Sequence, residues 1–194
     1  MPAEQLVLAF QDDKKFCFER APVRSESMFG GPMIPQIEGV EYGPKPLHMI
    51  AELSWRHMPA LSEVSHINKL PLIYGMHYSG CTLRYRVGGA GIELLEIDPR
   101  ESLEDWPYAN FPPLLPYVPL RLSDVPTRAS YAQFVDAFGH SNLDNTQRAD
   151  LVAIVPPPAS IGLSLWGRGD GEDVMIVFEC DLKKKEVLAY NVTT

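Results

Sequence analysis

Short apolar stretches recur along the chain, separated by glycine, proline and paired acids. That rhythm favours strands over helices. Residues 5–10 (QLVLAF) and 16–20 (FCFER) predict two strands with Asp12-Asp13 in the turn between them. Leu47–Leu53 (LHMIAEL) reads as a strand, as do Leu70–Met76 (LPLIYGM) and Cys81–Val87 (CTLRYRV); Ser79-Gly80 between the last two is a hairpin signal. In Cys81–Val87, Thr82, Arg84 and Arg86 alternate with Cys81, Leu83, Tyr85 and Val87. A period of two puts one face in the core and the other in water. Gly88-Gly89-Ala90-Gly91 then turns the chain into a strand at Ile92–Ile97 (IELLEI). Near the end, Val174–Cys180 (VMIVFEC) and Val187–Val192 (VLAYNV) predict a hairpin around Leu182–Lys185.

Helical spacing is rarer. Tyr131, Phe134, Val135 and Phe138 share one helical face, Ser130 suits an N-cap and Gly139 a stop, which predicts a helix over Ser130–Phe138. A second helix is expected over Asn145–Ala153, ahead of Pro156-Pro157-Pro158, and a single helical turn near Leu61. Two stretches read as irregular. Residues 25–46 hold four glycines and four prolines, with Met28, Phe29, Met33 and Ile34 pinning the loop to the core. Residues 98–119 are broken by prolines, whose Pro113, Pro116 and Pro119 fit a PxxP spacing but sit among residues too apolar for an exposed ligand. The expected fold class is α+β: a mostly antiparallel or mixed sheet of short strands, long Pro-rich loops and one or two packed helices, in one domain over residues 1–194.

Composition sharpens this. Proline makes up 18 of 194 residues, roughly twice the usual ~5%, which excludes a helical bundle. Lys and Arg total 17 against 25 Asp and Glu, a net charge of −8, so a phosphate backbone is repelled and direct nucleic-acid binding is not expected. No apolar run approaches the roughly 20 residues of a membrane span. The start, MPAEQLVLAFQDDKK, lacks a basic region and a long apolar stretch, so a cytoplasmic protein without membrane contact is expected. Cys17, Cys81 and Cys180 form no CxxC pair and are expected as free, buried thiols.

Catalytic signatures are missing from the pattern. His48, His57, His66, His77 and His140 form no HExxH, and no GxSxG elbow occurs. Gly88–Gly91 and Gly167–Gly171 precede strands, where a phosphate cradle needs a helix N-terminus. No catalytic residue, metal or cofactor is therefore expected, and the chain is not expected to be an enzyme. One segment stands out. Glu93, Glu96, Asp98, Glu101, Glu104 and Asp105 accompany a single base, Arg100, and Trp106 and Tyr108 follow at once. Acids that steer beside aromatics that anchor suit a docking surface for a basic partner, so Asp98, Glu101, Glu104, Asp105, Trp106 and Tyr108 are the expected contact residues.

Phe29-Gly30-Gly31-Pro32, then Pro35, then Pro46-Leu47-His48-Met49-Ile50-Ala51-Glu52-Leu53 resembles the opening of YwqG-like domains. That family shows a Gly-Gly-x-Pro loop, a later proline and a strand reading roughly "plxfiaQi". Here Glu52 stands in place of the Gln, and the intervening Trp-Pro is absent. Trp166-Gly167-Arg168-Gly169-Asp170-Gly171 before Val174–Phe178 is similar to the family's closing turn and strand. The resemblance implies a structural role for Phe29, Gly30, Gly31 and Pro32 and no established enzymatic activity. Some family members sit beside polymorphic or type VI secretion toxins and look like immunity proteins. It thus implies a bacterial antitoxin that binds and occludes a cognate basic protein toxin, a nuclease effector. The alternative is a small-ligand-binding domain or enzyme whose pocket lies under the Gly-Gly-Pro loop, lined by His48, Glu52 and Arg84.

Overall fold

The computed structural model describes residues 4–41, 46–78, 80–89, 91–100, 114–123, 127–129, 149–156 and 174–193. The expected helix over Ser130–Phe138 and the closing turn at Trp166–Gly171 lie outside these residues. The strands are β1 (Gln5–Gln11), β2 (Lys14–Arg20), β3 (Ser27–Gly31), β4 (Gln36–Gly39), β5 (His48–Ser54), β6 (Lys69–Tyr74), β7 (Gly80–Val87), β8 (Gly91–Arg100), β9 (Leu115–Leu122), β10 (Thr127–Arg128), β11 (Leu151–Val155), β12 (Val174–Asp181) and β13 (Glu186–Thr193). Among the described residues one small helix, α1 (Ala60–Ser65), joins β5 to β6. The described architecture is thus a sheet-rich one with little helix.

All strands belong to one mixed sheet, ordered β4-β8-β7-β13-β12-β11-β1-β2-β9-β3-β5-β6, with β10 beside β2. The β4–β8 pair is parallel; the other described pairs are antiparallel. Two hairpins follow the sequence pattern. β1 and β2 are joined by Asp12 and Asp13, whose φ values of 49° and 57° form the doubly left-handed turn that matches strand twist. Aspartate tolerates that region better than most residues. β12 and β13 pair along their whole length around Leu182–Lys185.

The central strands are buried on both faces. Ala9, Ala153, Val155, Ile176 and Phe178 join Phe18, Phe29, Leu53, Leu72 and Leu83 in the main core. Leu8, Phe10, Val152, Ile154, Met175 and Val177 form a second cluster on the opposite face. Double burial accounts for the unbroken apolar runs of β1, β11 and β12. Each large side chain fully buried in this way contributes roughly 1.5–3 kcal/mol. β7, by contrast, alternates as its sequence requires: Cys81, Leu83, Tyr85 and Val87 are buried, and Thr82, Arg84 and Arg86 are exposed.

Four expectations are corrected. First, residues 25–46 are not one loop, because Ser27–Gly31 and Gln36–Gly39 are strands. Phe29, Gly30 and Gly31 therefore lie buried in β3, and only Pro32 of that quartet is exposed. Second, the proline-rich stretch ends in a strand, β9. Its register with β3 pairs Phe29 with Val118 and Gly31 with Leu115, so Pro116 and Tyr117 together oppose Gly30. This bulge holds Pro116 where a ladder N–H is not needed, and glycine supplies the left-handed φ of 64° on the facing strand. Third, β6 and β7 do not form a hairpin. β6 pairs with β5, and β7 with β8 and β13. Fourth, Leu151–Ala153 belongs to β11 and not to a helix, because it inserts between β1 and β12 and is buried on both sides.

The sheet curls until its edge strand β6 lies against β7 and β13. The contact is made by side chains: Tyr74 of β6 donates to Asn191 of β13 at 3.0 Å and accepts the Cys81 N–H of β7 at 3.0 Å.

Candidate interaction surface

The outward faces of β8, β7, β13 and β12 lie side by side and carry six of the described acids. Alternation along the strands, reset on β8 by a bulge at Leu95, brings Glu93, Glu96 and Asp98 on β8, Arg84 and Arg86 on β7, Glu186 and Leu188 on β13, and Glu179 and Asp181 on β12 into cross-strand rows. One row runs Glu93, Arg86, Glu186, Asp181; the next runs Glu96, Arg84, Leu188, Glu179.

Arg86 is held between two carboxylates, Glu93 at 2.9 Å and Glu186 at 2.7 Å. The Glu186 hydrogen bond, more than any other contact, raises the Arg86 guanidinium pKa above its usual range. Arg84 reaches Glu96 at 3.8 Å. Asp181 accepts the Lys184 backbone N–H at 3.0 Å and pairs with its ammonium at 3.1 Å. That backbone hydrogen bond in first place holds the Asp181 carboxyl below the usual range. Tyr190 donates to Glu179 at 2.7 Å. A cleft of about 330 Å³ lies along these rows, lined by Arg84, Glu179, Asp181, Lys184, Glu186 and Leu188. Six carboxylates thus share this face with Arg84, Arg86 and Lys184. Carboxylates therefore outnumber these three cations six to three, and their sum is negative.

Of the residues expected at a partner contact, Asp98 is exposed on β8 opposite Thr82. Glu101, Glu104, Asp105, Trp106 and Tyr108 lie outside the described residues. The run that began as one acidic segment is divided. Glu93 and Glu96 are bound to arginines, and Asp98 has no cation across the strand. Glu179, Asp181 and Glu186 were missed; the i, i+2 spacing of Glu179 and Asp181 at the end of β12 was a signal that could have found two of them.

The residues named for a ligand pocket are not brought together. His48 and Glu52 are buried in β5, where Glu52 meets Lys69 at 2.6 Å, whereas Arg84 sits on the outer face of β7. At Gly30, an added Cβ would lie 2.2 Å from the Pro116 carbonyl oxygen, so β3 rests directly on β9 there. The His48 and His77 rings lie tilted at 39° to each other, with centroids 5.2 Å apart. Among the described residues no group of three His, Cys, Asp or Glu is placed to hold a metal ion. Cys81 and Cys180 are buried and Cys17 is half-buried, all three unbridged. Among the described residues no helix is long and apolar enough to cross a membrane.

No protein-family model, curated protein or solved structure matches the chain.

Proposed function

We propose that the chain is a YwqG-like immunity protein of the bacterial cytoplasm, which binds a basic secreted toxin, a nuclease effector, and occludes it without chemistry of its own. The observation that supports this reading is the carboxylate surplus on the exposed face of β8, β7, β13 and β12, which includes Asp98 near the end of β8; Glu101, Glu104 and Asp105 follow it in the sequence. A nuclease needs a cationic groove to hold phosphates. A partner that fills that groove needs fixed anionic groups and aromatic anchors, the roles assigned to these acids and to Trp106 and Tyr108. Charges of this kind raise the association rate, and buried aromatics lower the dissociation rate.

The test is capture of a stoichiometric basic protein from the source cell, followed by nuclease assays and stopped-flow binding at two salt concentrations. The expected result is a silenced nuclease whose association slows with salt and slows again in the Glu101→Lys/Glu104→Lys variant. Trp106→Ala is expected to speed dissociation. An association rate indifferent to salt and to both charge reversals would overturn the acidic-face reading.

A further inference from the structure

A second polar cluster lies away from that face, where the turn after β5 meets the start of β3. Ser27 is completely buried, and its hydroxyl oxygen accepts the Ser54 N–H at 2.9 Å. The same oxygen lies 2.7 Å from Nδ1 of His57. The backbone of the turn is closed by Ser54, whose carbonyl accepts the N–H groups of His57 and Met58 at 3.0 Å each. Ser54 also donates its hydroxyl to Glu26 at 3.1 Å, and Arg56 pairs with Glu26 at 3.2 Å.

We infer that the Ser27–His57 hydrogen bond is a proton-sensitive clasp that fastens the turn at residues 55–57 to β3 and releases it on acidification. Ser27 has one hydroxyl hydrogen, and its oxygen already accepts Ser54 N–H. With the imidazole neutral and its own proton on Nε2, that hydrogen is donated to Nδ1 and both groups are satisfied. A proton on Nδ1 turns it into a donor facing the same oxygen. The hydroxyl hydrogen must then rotate away inside a fully buried site, leaving a surplus donor.

The charged groups facing the ring do not reverse this. From β2 the Phe18 ring packs against the imidazole in a T-shaped arrangement, with centroids 6.1 Å apart and planes at 72°. Glu26, beside β3, favours the imidazolium, but its carboxylate is already held by Arg56 and Ser54. Burial outweighs it and lowers the His57 pKa below 6.5.

The experiment is amide hydrogen exchange of the full chain at pH 7.5 and pH 5.0, corrected for intrinsic rates and referenced to Phe178 in the central strand β12. In the wild type, protection of Ser54, His57 and Met58 is expected to fall at pH 5.0 relative to Phe178 and to be retained at pH 7.5. His57→Gln, whose amide oxygen accepts the Ser27 hydroxyl without titrating, keeps its protection at both pH values. Ser27→Ala shows low protection at both. An NMR titration of His57 in the unmodified protein needs no variant and is expected to show a midpoint below 6.5. A midpoint at or above 6.5, equal wild-type protection at the two pH values, or pH dependence that survives in His57→Gln would each overturn the clasp.

Discussion

Tyr85 and Pro71 meet across the seam where the curled sheet closes. The Tyr85 phenol of β7 donates to the Pro71 carbonyl of β6 at 2.8 Å and accepts the Ile73 N–H at 3.2 Å. Backbone groups two residues apart on a strand point to the same side, here the side of β6 that faces away from β5. Pro71 has no N–H to leave bare there. One buried hydroxyl thus pairs at this edge two backbone groups that a neighbouring strand would otherwise have paired. Burial in the core raises the Tyr85 pKa well above that of an ordinary phenol.

Removing only that hydroxyl tests the seam. Tyr85→Phe keeps the ring but leaves a buried carbonyl and a buried N–H unpaired, and is expected to cost about 1–3 kcal/mol. Urea unfolding with an unchanged slope and a lower midpoint is the expected readout; a midpoint equal to wild type would deny the seam its role.

The bulge between β3 and β9 makes a second case. Gly30 has φ of 64°, and a Cβ there would meet the Pro116 oxygen at 2.2 Å. Backbone strain alone is worth about 1–3 kcal/mol, so Gly30→Ala is expected to lower the melting temperature clearly. Gly89, where a Cβ meets nothing within 4 Å, is the control. Gly89→Ala is expected to stay within about 0.5 kcal/mol of wild type.

Thiol reactivity separates the cysteines. Burial is the main cause that pushes the Cys81 thiol up to about 12 and raises Cys180 further, whereas Cys17 is half-buried and only raised. At pH 8 a thiol with a pKa of about 12 is thiolate in roughly one molecule in ten thousand. A disulfide reagent is therefore expected to modify one thiol, Cys17, in the native protein and all three after denaturation. Rapid modification of Cys81 without unfolding would contradict its burial.

Acid stability has two windows. His57 is lowered in the folded state, so the unfolded chain binds the proton more readily. Its contribution is complete above 6.5 and is lost as the pH falls below that value. Asp181 is also lowered, chiefly by the Lys184 N–H, so its contribution is present above 3.8 and is lost below it. Melting curves from pH 8 to pH 3 are expected to show both declines. Asp181→Asn is expected to flatten only the lower one and His57→Gln only the upper one.

Much of the local structure was legible because burial on a strand alternates with a period of two, a property that neighbouring residues alone express. The alternation in Cys81–Val87, the Asp12-Asp13 turn and the β12–β13 hairpin each depend on a few consecutive side chains, and the structure follows them. Strands β3 and β9 were hidden because Gly30-Gly31 and Pro116 each act as a breaker when read alone. Only their pairing, in which a glycine on one strand faces an extra proline on the other, makes both acceptable. The same division runs through the candidate surface. That Arg84 and Arg86 face water follows from the sequence by itself. That Arg86 neutralises Glu93 and also Glu186, 100 residues away, was decided only when β7 took its register between β8 and β13. Coulomb attraction depends on distance in space, and long-range register sets that distance.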